Sequence, residues 1–191
     1  MTLSTLHRKV LTLSTLIALT YSIAYSQNIK TTAGTGINDC TGDGGAAISA
    51  ATGGISGIVT DVLGNIYFTD MDYHVVRRIN TSGIITRIAG SASFTPAYSG
   101  DGGPAVSAEL NYPNSIAINS SGELLIADQE NHRIRKISTT GTITTIAGNG
   151  FPSFFGEGVA ATIAQFGSPS ALHMAATGDY YFYDAYNLRI R

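Results

Sequence analysis

The feature that most constrains this chain is a tandem repeat, whose copies are residues 28–83, 84–141 and 142–191. Two independent landmarks, a glycine and an aspartate, recur with almost the same spacing from copy to copy. They are Gly34, Gly90 and Gly148, and Asp70, Asp128 and Asp184. A unit that recurs at this length predicts a repeat architecture, in which each unit hides its apolar faces against its neighbours.

Each copy divides into four short apolar runs separated by turn residues. In the second copy the runs are Ile84–Ala89, Ser115–Ile118, Leu124–Ala127 and Arg133–Ile137. The third run, like its counterparts Ile66–Thr69 and Tyr180–Tyr183, is apolar at successive positions, so both faces of that strand need cover. Tandem four-stranded antiparallel sheets, each buried on both faces, are what β-propeller blades require. We therefore predict an all-β chain of about three blades, an incomplete ring, which Asn28–Ala33 begins as an outermost strand.

A resemblance to a known family strengthens this prediction. Residues 126–137 (Ile-Ala-Asp-Gln-Glu-Asn-His-Arg-Ile-Arg-Lys-Ile), followed by residues 141–148, resemble the NHL repeat in its long bacterial form. Residues 99–105 (Ser-Gly-Asp-Gly-Gly-Pro-Ala) are similar to the insertion that lengthens such repeats. The resemblance covers nearly all of residues 28–191 and implies a propeller, most often six-bladed, that binds rather than catalyses. The chain is then expected to be a fragment of such a ring, with self-association of two chains as the alternative.

Residues 1–26 have the pattern of a signal peptide. Arg8 and Lys9 precede an apolar stretch, Val10–Ala24, that is too short to cross a hydrocarbon core about 30 Å thick. Small residues at Ala24 and Ser26 predict cleavage after Ser26 and a mature domain of residues 27–191. We therefore expect a secreted, periplasmic or cell-envelope protein with no later membrane span.

Charge narrows the class of partner. Without residues 1–26 the chain has nine Lys and Arg residues against 13 acidic ones, a net charge of −4. A weakly acidic protein lacks the positive surface that binding to phosphate backbones needs. We expect a protein or glycan partner and no nucleic acid.

Candidate binding residues are those that the other copies do not repeat. The third copy carries Phe154, Phe155, His173 and Tyr186, and exposed aromatic residues are favoured at recognition surfaces. Tyr181 and Tyr183 of the same copy are instead expected to fill space between blades.

Other polar residues recur from copy to copy, which indicates a structural role. These are Asp70 with His74, Asp128 with His132, and Asp184. Each Asp–His pair lies four residues apart, and we predict a hydrogen bond between the two side chains within one blade.

The glycine-rich loops offer one carboxylate each, Asp43 and Asp101, where calcium needs six or more oxygen ligands. No metal site or cofactor is expected there. Asp101 is predicted to cap a short helical turn that begins at Pro104.

Basic residues and the single cysteine complete the predictions. Five cationic side chains are expected on the surface, paired with acidic neighbours such as Asp72 and Glu130. They are Arg77, Arg78, Arg133, Arg135 and Lys136. Cys40 is predicted to be a buried filler.

One alternative function stays open. The chain could be part of a metal-dependent propeller enzyme, similar to lactonases or lyases, although His173 is the one non-repeating histidine after residue 26.

Overall fold

Three antiparallel sheets follow one another in the computed structural model, which describes residues 28–191. The predicted signal peptide and its cleavage site lie outside these residues. The first sheet contains β1 (Ile55–Thr60), β2 (Ile66–Asp70), β3 (Val75–Ile79) and β4 (Ile85–Ala89). The second contains β5 (Pro113–Ile118), β6 (Leu124–Asp128), β7 (Arg133–Ile137) and β8 (Ile143–Ala147). The third contains β9 (Pro169–Met174), β10 (Tyr180–Asp184) and β11 (Arg189–Ile190).

Within each sheet the strands lie side by side in chain order, which confirms the predicted antiparallel sheets. The remaining regular elements are short 3-10 turns at Ala47–Ser49, Ala105–Ser107, Gln129–Asn131 and Ala161–Ile163. Gly122, between β5 and β6, has the positive φ of 83° that the tight turn requires, as predicted. None of the helical segments in residues 28–191 has the length and apolar character needed to span a membrane.

The core lies between the sheets, because each apolar face packs on the next sheet. Ile116 and Ile126 of the second sheet pack with Val76 of the first. On the opposite face, Leu125 and Ala127 pack with Phe182 of the third sheet. All five residues of β6 are buried. The prediction that Leu124–Ala127 is covered on both faces is confirmed.

The two outer faces of this stack remain open in the described residues. Ile58 of β1 is 65% exposed, whereas its counterpart Ile116 in the second sheet is 3% exposed. Tyr181 is 47% exposed where Leu125 is 2% exposed, and Tyr183 is also exposed. Within residues 28–191 no sheet covers that face, so the role of these tyrosines between blades stays a prediction.

Residues 28–33 do not form the predicted outermost strand. A strand needs a neighbour that satisfies its backbone donors and acceptors, and in the described residues no strand pairs with this segment. Cys40, in contrast, is buried as predicted. Its burial raises the pKa of the thiol to about 11.

Candidate functional site

Two histidines tie neighbouring sheets together at one end of the stack. His74 and His132 lie in the turns from the second to the third strand of their sheets, with left-handed φ values of 57° and 52°. The Tyr112 N–H donates to His74 Nδ1 over 3.1 Å, and the Ser168 N–H donates to His132 Nδ1 over 3.2 Å. Tyr112 and Ser168 each stand directly before the first strand of the following sheet. The histidines therefore act between sheets, and the predicted hydrogen bond to the aspartate of the same sheet is wrong.

The aspartates instead hold their own sheet. Asp128 accepts hydrogen bonds from the Asn111 N–H over 2.8 Å, from Asn131 Nδ2 over 2.9 Å and from Arg135 Nη1 over 3.1 Å. Asp184 repeats the pattern with the Gly167 N–H and Asn187 Nδ2. The left-handed turn directs each histidine toward the following sheet, which explains why aspartate and histidine separate.

The first sheet departs from this pattern. Asp70 accepts from the Gly53 N–H over 2.9 Å, but its Oδ1 is buried without a partner. Tyr73 stands where Asn131 supplies the donor in the second sheet. Burial raises the pKa of Asp70, and burial raises the pKa of Asp128 to about 6.

The hydrogen bonds fix the protonation of both histidines. Because Nδ1 accepts, the neutral ring carries its proton on Nε2, a tautomer assigned here from the hydrogen-bond geometry. Burial lowers the pKa of His74 and of His132, which favours the neutral form at neutral pH. Each junction therefore offers one N–H donor, Nε2–H, that the backbone contact does not use.

Exposed tyrosines lie against these histidines. Tyr112, 43% exposed, contacts His74 edge to face with ring centroids 4.9 Å apart. Tyr186 is 62% exposed, and its ring centroid lies 6.0 Å from that of His132. The Gln129 amide donates over 2.7 Å to the hydroxyl of Ser168, the residue whose N–H contacts His132. We call this set the junction surface, formed by His74, Tyr112, Gln129, His132, Ser168 and Tyr186.

Buried arginines hold the glycine-rich loops against the sheets. Arg135 and Arg77 have fully buried side chains. Arg135 pairs with Asp101 over 2.8 Å and with Asp128 over 3.1 Å, and Arg77 pairs with Asp43 over 3.1 Å. The predictions of surface pairing for these two arginines and of a helix cap at Asp101 are wrong, because the loop carboxylate turns inward to the guanidinium. The short turn it precedes has no side-chain cap, and Pro104 occupies the position before its first residue.

The other predicted basic residues differ among themselves. Lys136 pairs with Glu123 over 2.8 Å in a half-exposed ion pair. Arg133 stacks on the Tyr98 ring with its guanidinium carbon 3.7 Å from the centroid. Instead of the predicted pairing with an acidic neighbour, Arg133 has this cation–π contact and hydrogen bonds to the Asn131 and Asn149 carbonyls.

The four predicted binding residues separate into two places. The ring of Phe154 lies under Arg189, at 3.9 Å, and Phe155 is exposed in the same loop. Asn187, next to Tyr186, donates to the Ser153 carbonyl over 3.1 Å, so the loop and the junction surface are connected. His173 lies apart on β9, exposed, in a groove where the first strands of neighbouring sheets meet.

Sequence reasoning missed Tyr112, Gln129 and Ser168 as members of a surface. The sequence did contain one signal for this surface. A histidine recurs just before the third strand of a sheet, and a polar or aromatic residue stands just before the first strand of the following sheet. Among residues 28–191, no three His, Cys, Asp or Glu side chains come close enough to hold a metal ion.

Solved structures share this arrangement of stacked sheets. A protein of unknown function from Bacteroides thetaiotaomicron matches 70% of this chain and 33% of its own, with a TM-score of 0.62 at 23% identity. An auxiliary nutrient binding protein from the same organism matches 70% of this chain and 35% of its own, with a TM-score of 0.57 at 21% identity. At these identities the likeness shows the fold. The three sheets are blades of an incomplete β-propeller.

The sequence of the second blade matches a known repeat. The family model described as NHL repeat matches residues 110–137, which run from the end of the loop through β7. This match, together with the stacked sheets, supports a relationship to the NHL-repeat β-propellers. Human Teneurin-4 is 34% identical over 102 residues, 48% of this chain and 4% of Teneurin-4. The chain thus spans a small part of the curated relatives that it matches and about a third of the solved ones.

Proposed function

We propose that this chain is an exported binding module whose junction surface holds a protein or glycan partner. One observation carries the proposal: at two blade junctions an exposed tyrosine is fixed against a neutral histidine. Aromatic rings supply contact area at little entropic cost, and rigid elements hold them in place. Export is proposed from the pattern of residues 1–26 alone.

The polar groups beside the rings favour a glycan over a protein. Each histidine keeps an Nε2–H donor, and Gln129 donates to the hydroxyl of Ser168, whose N–H contacts His132, the ring next to Tyr186. A sugar ring presents an apolar face to an aromatic side chain while its hydroxyls need donors and acceptors around the edge. This combination matches the junction surface.

Binding is also better supported than catalysis. A general base usually needs a second group that orients it, and neither histidine is hydrogen-bonded to a carboxylate. One solved neighbour is named for nutrient binding, which is consistent with a ligand in general. The metal-dependent enzyme stays the alternative, and the described residues give it no set of metal ligands.

The test is binding to an array of soluble oligosaccharides and polysaccharides, followed by affinity electrophoresis with any that bind. We expect Tyr112→Ala with Tyr186→Ala to weaken binding at least about tenfold, since each ring contributes on the order of 1 kcal/mol or more. Val62→Ala with Leu63→Ala is the control, because those apolar side chains are exposed in the turn after β1. Equal binding by the two double variants would refute the assignment to this surface, and a protein partner captured through Tyr112 would replace the glycan.

A further inference from the structure

Arg78 of β3 carries a positive charge that no acidic side chain of residues 28–191 neutralises. It takes part in none of the ion pairs within these residues. Its Nε is buried and has no hydrogen-bond partner in the same part of the chain. A partly buried guanidinium is ordinarily paired with an anion, since an uncompensated charge away from water is costly. The first sheet therefore lacks an anion that its own charge calls for.

The second sheet supplies that anion itself at the equivalent place. Lys136 stands in β7 where Arg78 stands in β3, and it pairs with Glu123 over 2.8 Å. The residue at the place of Glu123 in the first sheet is Asn65, which has no charge. The two sheets thus differ in one respect, because only the second contains both members of the pair.

The carboxylate closest in sequence to Asn65, that of Asp61, is occupied by its own turn. Its Oδ1 accepts from the Leu63 and Asn65 N–H groups over 3.0 and 2.9 Å. Its Oδ2 accepts from Asn65 Nδ2 over 2.6 Å and from the Tyr67 hydroxyl over 3.0 Å. Both oxygens of Asp61 therefore hold the turn between β1 and β2 and leave Arg78 to another anion.

Arg78 lines a cavity of about 190 Å³ between the first and second sheets. Tyr67 lies directly opposite Arg78 on β2 and lines the same cavity. Burial raises the pKa of Tyr67 and the guanidinium acts against that rise, so the phenol and the cation are close together. The second sheet adds the hydroxyl side chains of Ser138 and Thr139 and the apolar side chain of Leu124. The cavity thus combines one cation with three hydroxyl-bearing residues and an apolar wall.

This combination suits a small hydroxylated acid. A carboxylate fits a guanidinium because its two oxygens can accept two parallel N–H bonds. A single cation balances one negative charge, which favours a carboxylate over a doubly charged phosphate. Sites for drug-sized ligands measure roughly 300–1,000 Å³, so this smaller cavity takes a smaller molecule. The hydroxyl-bearing side chains can exchange hydrogen bonds with the hydroxyls of such a ligand.

We propose that the cavity between the first and second sheets binds the carboxylate of a small hydroxylated acid, such as a uronic acid, with Arg78 as its counter-ion. The cavity lies at the turns from β5 to β6 and from β7 to β8, whereas His74 and His132 lie in turns at the opposite ends of the strands. The proposal is therefore independent of the junction surface.

NMR titration of the isotope-labelled chain with glucuronate, glucose or acetate at constant ionic strength tests the proposal. We expect glucuronate to shift the amide signals of Gly122 and Gly141, two residues that line the cavity. Its dissociation constant should be at least about tenfold lower than that of glucose, which lacks the carboxylate, or of acetate, which lacks the hydroxyls. The amide signal of Tyr112, at the junction surface, should not move.

Arg78→Gln should raise the dissociation constant of glucuronate at least about tenfold, because it removes the charge and the paired N–H donors. Lys136→Gln is the matched control on the equivalent strand. It removes a charge that Glu123 already neutralises, so the dissociation constant should not change.

The double variant Asp61→Asn with Asn65→Glu tests the site without removing Arg78. It copies Asn119 and Glu123 of the second sheet and keeps the net charge of the chain. The new carboxylate should pair with Arg78 as Glu123 pairs with Lys136, and glucuronate binding should be lost. Amide signals outside the cavity that stay as in wild type show that the variant is folded.

Glucuronate that binds no more tightly than glucose overturns the proposal, and so does binding that survives both Arg78→Gln and the double variant. N-acetylglutamate is the comparison for an acidic protein side chain. If it binds more tightly than glucuronate, the site takes a protein carboxylate and the assignment to a hydroxylated acid is wrong.

Discussion

Replacing Arg135 with methionine tests whether the buried ion pairs hold the loop and sheet of the second blade together. The guanidinium is fully buried and binds Asp128 Oδ2 at 3.1 Å, Asp101 Oδ1 at 2.8 Å and the Ser99 carbonyl at 3.0 Å. Methionine keeps most of the apolar volume but leaves Asp128, itself fully buried, without its counter-charge. Removing one partner of a buried pair costs about 3–5 kcal/mol of the free energy of unfolding. Domains of this size are stable by about 5–15 kcal/mol, so the loss is a large fraction of the total.

Urea denaturation followed by circular dichroism measures this loss. With a denaturant slope of about 1–3 kcal/mol per molar urea, the midpoint should fall by at least about 1 M. Lys136→Met is the matched control on the same strand, because the half-exposed pair of Lys136 with Glu123 contributes about 1 kcal/mol or less. Adding Asp128→Asn to Arg135→Met should recover part of the loss, since the stranded charge is then absent. If Arg135→Met is no more destabilising than Lys136→Met, the inference that the network supports the blade is refuted.

Two further predictions concern the blade junctions. Burial lowers the pKa of His74 and of His132 in the folded chain. Between these lowered pKa values and the unfolded value of about 6.5, the unfolded chain therefore binds more protons than the folded chain. These histidines thus make the chain less stable as the pH falls below about 6.5. Urea titrations across that range should show a smaller loss in His74→Gln with His132→Gln than in wild type, and identical profiles would contradict the prediction. Gly148→Ala should lower the thermal unfolding temperature more than Gly141→Ala, although both glycines have a positive φ. The reason is that a Cβ at Gly148 would meet the His132 carbonyl, whereas a Cβ at Gly141 would meet nothing within 4 Å. Equal losses would show that the close approach carries no energetic weight.

Much of the fold could be predicted from the sequence, because periodic landmarks and apolar runs are local signals. The run Leu124–Ala127 is predicted as a strand covered on both faces, and β6 is that strand with Asp128 added. Ile84–Ala89 corresponds to β4, which begins one residue later. Asn28–Ala33 has the same local pattern as these strands, yet it forms none in the described residues. A strand depends on its neighbour, and the pattern of one segment does not contain the neighbour.

The candidate site was harder to predict because its contacts join distant parts of the chain. Arg135 reads as a surface residue since arginine is seldom buried without a partner, and its partner Asp101 lies 34 residues away in a loop. The Asp–His spacing suggested contact because the two residues are near in sequence. A left-handed turn between them sends His132 to Ser168, 36 residues away.

Comparing the blades with one another recovers part of this missing information, since contacting positions change together. Tyr98 stacks on Arg133 in the second blade, and Phe154 stacks on Arg189 in the third. In the first blade the corresponding residues are Cys40 and Val75, both buried, so the aromatic ring and the arginine are lost together. A guanidinium that lacks its ring, or a ring that lacks its guanidinium, would leave one partner exposed without the contact that orients it. Paired changes among repeats therefore indicate a contact between the two positions that change.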